Sequence, residues 1–253
     1  MILWYNKTMI ITSKANRLIK QAKKLLQKKY RKHSYLIEGW HLFEEAQRSG
    51  QELIHIFVLE EMAERLSGFD QVVIVSPEIL KELTSSPNPQ GIIAEVKFCQ
   101  QALPTSYAGK YLILEDIQDP GNLGTIIRTA DAANFDGVFL SEKSADIYNQ
   151  KTLRSMQGSH FHLPIWRTDI YQVSQAMQQQ KIPVLATTLS QDSIDYKDLS
   201  ARSSLALVLG NEGQGISPEM AALADQLIHI SMPGQAESLN VAVAAGILIF
   251  SLI

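Results

Sequence analysis

Residues 205–215 read Leu-Ala-Leu-Val-Leu-Gly-Asn-Glu-Gly-Gln-Gly, an unbroken apolar run that passes directly into a glycine-rich loop. A strand that is apolar at every position is typical of a parallel sheet covered on both faces. The loop lacks the Lys-Ser/Thr pair of a P-loop, and Gly210, Gly213 and Gly215 do not have the spacing of the dinucleotide fingerprint. Glycine permits close approach of backbone to a ligand, so the loop is either a ligand contact or simply a tight turn.

On both sides of this run, apolar segments alternate with helical patterns through residues 111–253. Strands are predicted at Tyr111–Glu115, Gly137–Leu140, Phe161–Ile165, Val184–Thr187, Leu205–Leu209 and Gln226–Ile230. Helices are predicted at Leu123–Asn134, Gln150–Met156, Tyr171–Gln180, Pro218–Leu223 and Leu239–Ile253. This alternation predicts an α/β fold with a parallel sheet, whose ligands bind beyond the carboxyl ends of the strands.

The first hundred residues show a second, smaller α/β pattern. A helix with apolar residues at helical spacing is predicted from Ser13, as N-cap, to Lys29, and another over His41–Arg48. Short apolar runs and helical stretches then alternate as far as Phe98. We therefore predict a domain over residues 1–100, a linker over residues 101–110 and a second domain over residues 111–253.

The net charge of −3 conceals a strong asymmetry along the chain. The first 32 residues carry ten Lys or Arg and no acidic residue, whereas the remainder carries 13 basic and 26 acidic residues. A solvated helix face does not require so many uncompensated cations, so a polyanionic partner is favoured. Charge alone leaves nucleic acid and an anionic membrane both open.

The cysteine content and the apolar segments at the two ends of the sequence indicate the cellular environment of the protein. The single cysteine, Cys99, excludes an internal disulfide and fits a cytoplasmic protein. Residues 1–5 are apolar but too short for a signal peptide, and the apolar run of residues 241–253 is too short to span a bilayer and fits a buried helix. A soluble protein without membrane association is predicted.

Two further segments place polar groups after predicted strands. After an Asp119-Pro120-Gly121 turn, Asn122 is predicted to cap a helix, and Arg128 lies about 140° around that helix from Leu123. Arg128 is therefore either a surface arginine or a phosphate ligand facing a cleft. Ser238 and Asn240 open the last helix, where Asn240 is predicted to lie inside the first turn.

Taken together, Asn122, Arg128, Asn211-Glu212-Gly213 and Ser238-Leu239-Asn240 resemble the three motifs of the SpoU branch of the SPOUT RNA methyltransferases. The resemblance covers the whole second half of the chain. Less specifically, Tyr35–Gly39 followed by Leu42–Ala46 is similar to the amino-terminal substrate-binding domain of this family.

The resemblance implies a trefoil-knotted parallel-sheet domain, a homodimer with active sites at the interface, and S-adenosylmethionine as cofactor. It implies cofactor contacts at Leu209, Gly210, Ile230, Met232 and Leu239. The basic segment would then face RNA through Lys23, Lys24, Lys28, Lys29, Arg31 and Lys32.

The implied reaction transfers a methyl group to a ribose 2′-hydroxyl and uses no metal, since no cluster of His, Cys and Asp ligands is evident. We expect Arg128 to hold the target phosphate and ease alkoxide formation, or to act as the base. Asn122, Glu212, Ser238 and Asn240 would position the ribose and Arg128. The amino-terminal domain favours ribosomal RNA by analogy with the family.

Three alternatives remain at this point. The substrate could be transfer RNA. The chain could be a non-catalytic RNA-binding protein on the same scaffold, although Arg128 and Asn240 are both retained. It could also be an α/β enzyme acting on a phosphorylated small molecule through residues 210–215, which would leave the basic segment unexplained.

Overall fold

A computed structural model describes residues 9–99, 101–190, 192–200 and 202–253. Residues 1–5, considered above as a signal peptide, Lys7 of the basic segment and Gln100 at the predicted domain boundary lie outside the described residues. The chain divides into two compact units. The first contains Met1–Cys99 and Tyr148–Arg154, and the second contains Gln100–Ile147 and Ser155–Ile253.

The first unit is built on a mixed sheet of four strands in the order β1-β4-β2-β3. Strand β4 is antiparallel to both β1 and β2, whereas β3 runs parallel to β2. The elements are α1 Arg17–Lys24, β1 Ser34–Glu38, α2 Trp40–Arg48, β2 Leu53–Leu59, β3 Val72–Val75, α3 Pro77–Glu82 and β4 Ile92–Lys97, with 3-10 helices at Lys28–Tyr30 and Glu60–Leu66.

Helix α1 is shorter than the sequence predicts. The predicted cap, Ser13, instead accepts a hydrogen bond from the Ala15 N–H within the preceding turn, at 3.2 Å. Asn16 is the N-cap, since its side chain accepts from the Leu18 N–H at 2.9 Å. The helix buries Ile19 and Ala22 and ends at Lys24, ahead of a separate 3-10 turn.

The second unit contains the parallel sheet that the sequence predicts, with strand order β7-β6-β5-β10-β8-β11-β9 and every adjacent pair parallel. Its first elements are β5 Lys110–Leu114, α4 Pro120–Ala132, β6 Gly137–Leu140, β7 Ile165–Arg167 and α6 Ile170–Gln179. Helix α5, Gln150–Met156, begins in the Tyr148–Arg154 segment of the first unit and ends in the second. The remaining elements are β8 Val184–Thr187, β9 Ile194–Asp195, β10 Leu205–Leu209, α7 Pro218–Leu223, β11 Gln226–His229 and α8 Val241–Ser251, with 3-10 helices at Ser159–Phe161 and Tyr196–Asp198.

Strand β10 lies at the centre of this sheet and is buried at every position. It pairs with β5 from Leu205 opposite Lys110 to Leu209 opposite Leu114, so both strands end at the same level. The Glu115 N–H continues the pairing with a 2.9 Å hydrogen bond to the Leu209 carbonyl. The segments that follow β5 and β10 therefore leave the sheet side by side.

Two predictions in this unit were wrong. The strand predicted at Phe161–Ile165 begins only at Ile165, because Gly158 adopts a left-handed φ of +97° and the chain first makes a 3-10 turn over Ser159–Phe161. The last helix is not wholly buried: Val243 and Phe250 are 53% and 52% exposed. Within the described residues, no helix is long and apolar enough to cross a membrane.

Candidate active site beyond strands β5, β10 and β11

The loop after β10 is a closed turn. The backbone groups of Asn211 and Gly215 exchange two hydrogen bonds of 2.9 Å, and the Asn211 side-chain oxygen accepts from the Gly213 and Gln214 N–H groups at 2.9 and 3.1 Å. Gly210 packs directly against the backbone of Gly215 and Ile216, where this turn ends. A Cβ at Gly210 would lie 2.2 Å from the Gly215 carbonyl carbon, so only glycine fits there.

Buried polar contacts join this loop to the end of β5. The Asn211 side-chain amide donates to the Asp116 carbonyl at 2.8 Å, and Asp116 itself has a positive φ of +57°. The buried Glu115 carboxylate accepts from the Tyr171 hydroxyl at 2.6 Å and from the Ser217 N–H at 2.9 Å. Glu115 was not predicted as a site residue, although a carboxylate directly after a buried strand was a usable signal.

A cavity of about 470 Å³ opens beside the loop. All the predicted cofactor residues line it, namely Leu209, Gly210, Ile230, Met232 and Leu239, together with Glu212 and Ser238. Its volume lies within the range of small-molecule sites. A further part of the wall, which was not predicted from the sequence, is formed by Thr187, Thr188, Leu189 and Ser190.

Helix α4 is capped by a residue other than the predicted one. Asp119, not Asn122, is the N-cap: its carboxylate accepts from the Gly121 and Asn122 N–H groups at 2.7 and 2.9 Å. Pro120 takes the first helical position, where its missing N–H costs nothing. The Asn122 side chain lies within the first turn of the helix and is available for tertiary contacts.

Helix α8 also begins at a different residue. Asn240 was predicted to lie within the first turn, but it is the N-cap, and its side-chain oxygen accepts from the Ala242 and Val243 N–H groups at 2.9 and 3.4 Å. Capping therefore occupies the oxygen of Asn240. Its side-chain nitrogen remains as a donor.

A chain of side-chain contacts links the three predicted motifs. The Asn240 Nδ2 donates to Asn122 Oδ1 at 3.0 Å, and the Asn122 Nδ2 donates to Glu212 Oε1 at 3.2 Å. We call Glu212, Asn122 and Asn240 the motif bridge. It fixes the relative positions of the β10 loop, the first turn of α4 and the start of α8.

The Glu212 carboxylate is held in its charged form. Partial burial opposes ionisation, but the backbone N–H groups of Gln118 and Asp119 and the side chain of Asn122 all donate to it. These hydrogen bonds outweigh burial and lower the pKa of Glu212 below its ordinary value. The motif bridge therefore ends in a carboxylate that stays an acceptor at neutral pH.

Arg128 lies on the solvent side of α4. Leu123, Ile127 and Ala130 are fully buried, and Arg128 is exposed, as the helical spacing predicts. In the described part of the chain, the Arg128 side chain makes no hydrogen bond or ion pair, and the lining of the 470 Å³ cavity does not include it. Its guanidinium is accessible to an external anion.

The basic segment is partly neutralised by an acid from elsewhere in the sequence. Glu82 of α3 pairs with Lys14 and with the predicted RNA ligand Lys23, and these hydrogen bonds lower the pKa of Glu82 to about 2. The expectation of wholly uncompensated charge was therefore too strong. Lys24, Lys28, Lys29 and Lys32 are exposed, and Arg31 is half-buried.

Family models match both units. Residues 109–250 match the SpoU rRNA Methylase family, and residues 16–94 match the MRM3-like substrate binding domain. The chain belongs to the SpoU rRNA methylase family.

SpoU relatives match the chain over nearly its whole length. The 23S rRNA (guanosine(2553)-2′-O)-methyltransferase RlmP of Bacillus subtilis is 40% identical over 246 residues, covering 96% of this chain and 98% of RlmP. The AdoMet-bound rRNA methyltransferase of Sinorhizobium meliloti is 31% identical with a TM-score of 0.85, covering 96% and 97% of the two chains.

A third relative is the SpoU methyltransferase AviRb of Streptomyces viridochromogenes, solved in complex with AdoMet. It is 26% identical with a TM-score of 0.84, covering 94% of this chain and 97% of AviRb. As a SpoU protein, the chain is an S-adenosylmethionine-dependent RNA 2′-O-ribose methyltransferase. The activity and the cofactor that the motifs implied are thus confirmed.

Proposed function

We propose that this SpoU enzyme methylates a ribose 2′-hydroxyl of ribosomal RNA, using Arg128 beside a cofactor cavity formed by the ends of β8, β10 and β11. The motif bridge is the main observation that supports the assignment of the site residues. Residues that are 118 and 90 positions apart in sequence meet through hydrogen bonds in this bridge. Glu212, at one end, also lines the cavity.

The cavity suits S-adenosylmethionine in size and in chemistry. Leu209, Ile230 and Leu239 supply apolar walls for a flat ring system, and Gly210 exposes backbone beside them. When bound there, the cofactor supplies an electrophilic methyl group on a sulfonium. The chain must hold and activate the alcohol that receives it.

We assign that task to Arg128. A ribose hydroxyl is a poor nucleophile and must lose its proton as it attacks, so a nearby fixed cation lowers the cost of the developing alkoxide. A guanidinium also binds a phosphate bidentately and can hold the target nucleotide in place. The exposure of Arg128 fits a group that meets its partner only when RNA is bound.

The motif bridge and Ser238 would orient this site. Asn122 and Asn240 hold the starts of α4 and α8 together, and α4 carries Arg128. Glu212 holds the turn before α4 by accepting from the Gln118 and Asp119 N–H groups. Ser238 lines the cavity and carries a hydroxyl that can hydrogen-bond to ribose.

We further propose that the enzyme is a homodimer, as the resemblance implied. Helix α8 packs against α4 and buries Ala245, Leu248 and Ile249, yet it leaves Val243 and Phe250 exposed. These exposed residues are two turns apart on one helix face, and an apolar strip of this kind is typical of a subunit interface. A second copy of the chain is the partner we assign to it.

The trefoil knot belongs to the same proposal. Strand β11 is separated from β5 by β10 and β8, yet the helix that follows β11 packs against α4, which follows β5. The chain after β11 thus returns across the sheet to the segments around the cavity. A carboxy-terminal segment threaded through a loop would account for this path.

The RNA class and location are also proposals. The B. subtilis relative acts on 23S rRNA, and the first unit matches a substrate-binding domain. We propose that this unit binds ribosomal RNA in the cytoplasm, with Lys24, Lys28, Lys29, Arg31 and Lys32 facing phosphates. Lys23, engaged by Glu82, would contribute less.

The experiment supplies the protein with labelled S-adenosylmethionine and ribosomal or transfer RNA purified from cells that lack the gene. Nuclease digestion then separates 2′-O-methyl nucleosides from base-methylated ones. Label in 2′-O-methyl nucleosides of ribosomal RNA is expected. Label confined to transfer RNA would overturn the substrate proposal but leave the reaction unchanged.

A further inference from the structure

Tyr30 is an exposed aromatic residue in the middle of the basic segment. It ends the 3-10 helix Lys28–Tyr30 and is 42% exposed. The turn is held by backbone hydrogen bonds from Tyr30 N–H to the Gln27 carbonyl at 3.0 Å and from Arg31 N–H to the Lys28 carbonyl at 3.1 Å. The ring is therefore presented to solvent by an ordered turn.

Two ammonium groups lie close to this ring. The Lys29 Nζ is 4.9 Å and the Lys24 Nζ is 5.6 Å from the ring centroid, both within cation–π distance. Unlike Lys14 and Lys23, neither lysine has a carboxylate partner in the described part of the chain. A partly exposed aromatic ring and two cations without carboxylate partners thus occur together.

We propose that Tyr30, Lys24 and Lys29 form a binding site for one unpaired nucleotide of the RNA substrate, with the base stacked on the tyrosine ring. A nucleotide carries both groups that this site would recognise, a π face and an anionic phosphate. Base faces are accessible only where the RNA is single-stranded, in a loop, bulge or end. The site therefore selects single-stranded RNA over a continuous duplex.

This inference rests on the proposal that the basic segment binds RNA, but it makes a separate claim. Lysines that contact phosphates give affinity that falls steeply with salt. Stacking on an aromatic ring gives affinity that depends on the exposed base and little on salt. The two contributions can therefore be separated by substituting the ring and the lysines individually.

The experiment measures binding of the full-length protein to a single-stranded mixed-sequence RNA oligonucleotide and to a blunt RNA duplex of equal length, across a salt series. Tyr30→Ala and Tyr30→Leu should weaken single-strand binding about tenfold, with the salt slope unchanged. Tyr30→Phe should bind like the wild type. Duplex binding should be unaffected by all three.

A control comes from the second unit, where Lys197 lies 5.9 Å from the ring centroid of Tyr196. This pair has acidic neighbours, Asp195 and Asp198, so Tyr196→Ala should leave RNA affinity unchanged. Lys24→Ala and Lys29→Ala should weaken binding to both RNAs and reduce the salt slope.

The outcomes separate the two claims. If the lysine variants weaken binding and the three Tyr30 variants match the wild type, the proposal that a base stacks on Tyr30 is wrong, but RNA binding by the basic segment is supported. If neither set changes binding, the basic segment itself does not bind RNA. Equal losses on single strand and duplex with Tyr30→Leu would mean that the ring only positions the lysines, which also contradicts the proposal.

Discussion

The side-chain nitrogen of Asn240 donates a 3.0 Å hydrogen bond to the side-chain oxygen of Asn122. One asparagine caps the last helix and the other lies in the first turn of α4, so a single contact fixes two helix starts to each other. Because Asn122 also donates to Glu212, its amide orientation is set from both sides. The bond therefore helps to hold α4, which carries Arg128, against α8, whose residues Val241, Ala244 and Leu248 line the cavity.

The first prediction separates capping from the motif bridge at position 240. Asn240→Ala removes both and should cost about 1 kcal/mol of stability, the usual contribution of an N-cap. Asn240→Asp keeps the capping oxygen but cannot donate to Asn122, so it should fold like the wild type and turn over at least tenfold more slowly. Urea unfolding and methyl-transfer assays measure the two effects.

A double-mutant cycle with Asn122→Ala is the control for this prediction. If the bond between the two asparagines matters as described, the loss of turnover in the double variant is smaller than the sum of the two single losses, although Asn122→Ala also removes the bond to Glu212. Fully additive losses would show that the two asparagines act independently and that the bond between them has no role in catalysis.

The second prediction concerns the glycines of the β10 loop. Gly210→Ala places a Cβ 2.2 Å from the Gly215 backbone, so the loop must shift and S-adenosylmethionine affinity should fall more than tenfold. Gly213→Ala is the matched control, because the nearest atom is the Asn211 side-chain oxygen at 3.6 Å. Calorimetry that found equal affinity for both variants would remove Gly210 from the cofactor site.

The third prediction is that Arg128→Ala abolishes methyl transfer but not folding. The side chain is exposed, so its removal leaves no core cavity, while a lost charge-stabilising contact in the transition state costs a hundredfold or more in rate. Arg128→Lys should recover only part of the rate, since an ammonium lacks the planar fork. Lys197→Ala, which removes another exposed cation, is the control for net charge.

The fourth prediction is a pH dependence of stability caused by His160. Burial, with a smaller effect of His162, lowers the pKa of His160 from 6.5 to about 3. Between these values the unfolded chain binds more protons than the folded protein, so stability decreases as the pH falls through this window. His160→Gln should reduce that decrease between about pH 7 and about pH 5.

Urea titrations at several pH values measure this effect, and His33→Gln, at an exposed position, serves as the control. The variant should lose less stability than the wild type as the solution becomes acidic. A constant difference in unfolding free energy between the two proteins would show that His160 titrates normally when folded.

The sequence predicted the buried centre of the fold better than its edges. Strands at Gly137–Leu140, Val184–Thr187 and Leu205–Leu209 were predicted with the observed bounds, because a parallel strand buried on both faces is an unbroken apolar run. The strand near Phe161 was misplaced because apolar residues there alternate as in a strand, although Gly158 turns the chain first. The local pattern of apolar residues does not reveal such a turn.

The site was predicted in part for a similar reason. Glycine-rich and polar segments after apolar strands pointed to residues that do line the cavity, such as Gly210 and Met232. The wall formed by Thr187–Ser190 was missed, because it depends on β8 lying next to β10, and strand order is not encoded locally. The caps Asp119 and Asn240 were misassigned because several capping residues occur close together in both segments.

The most direct test of the central claim is to map 2′-O-methyl groups in ribosomal RNA from cells that lack the gene and carry either the wild type or Arg128→Ala. Loss of one 2′-O-methyl group, restored by the wild type and not by the variant, is the predicted result. Ribosomal RNA that keeps every 2′-O-methyl group in the absence of the gene would contradict the assigned substrate, and restoration by Arg128→Ala would contradict the assigned catalytic residue.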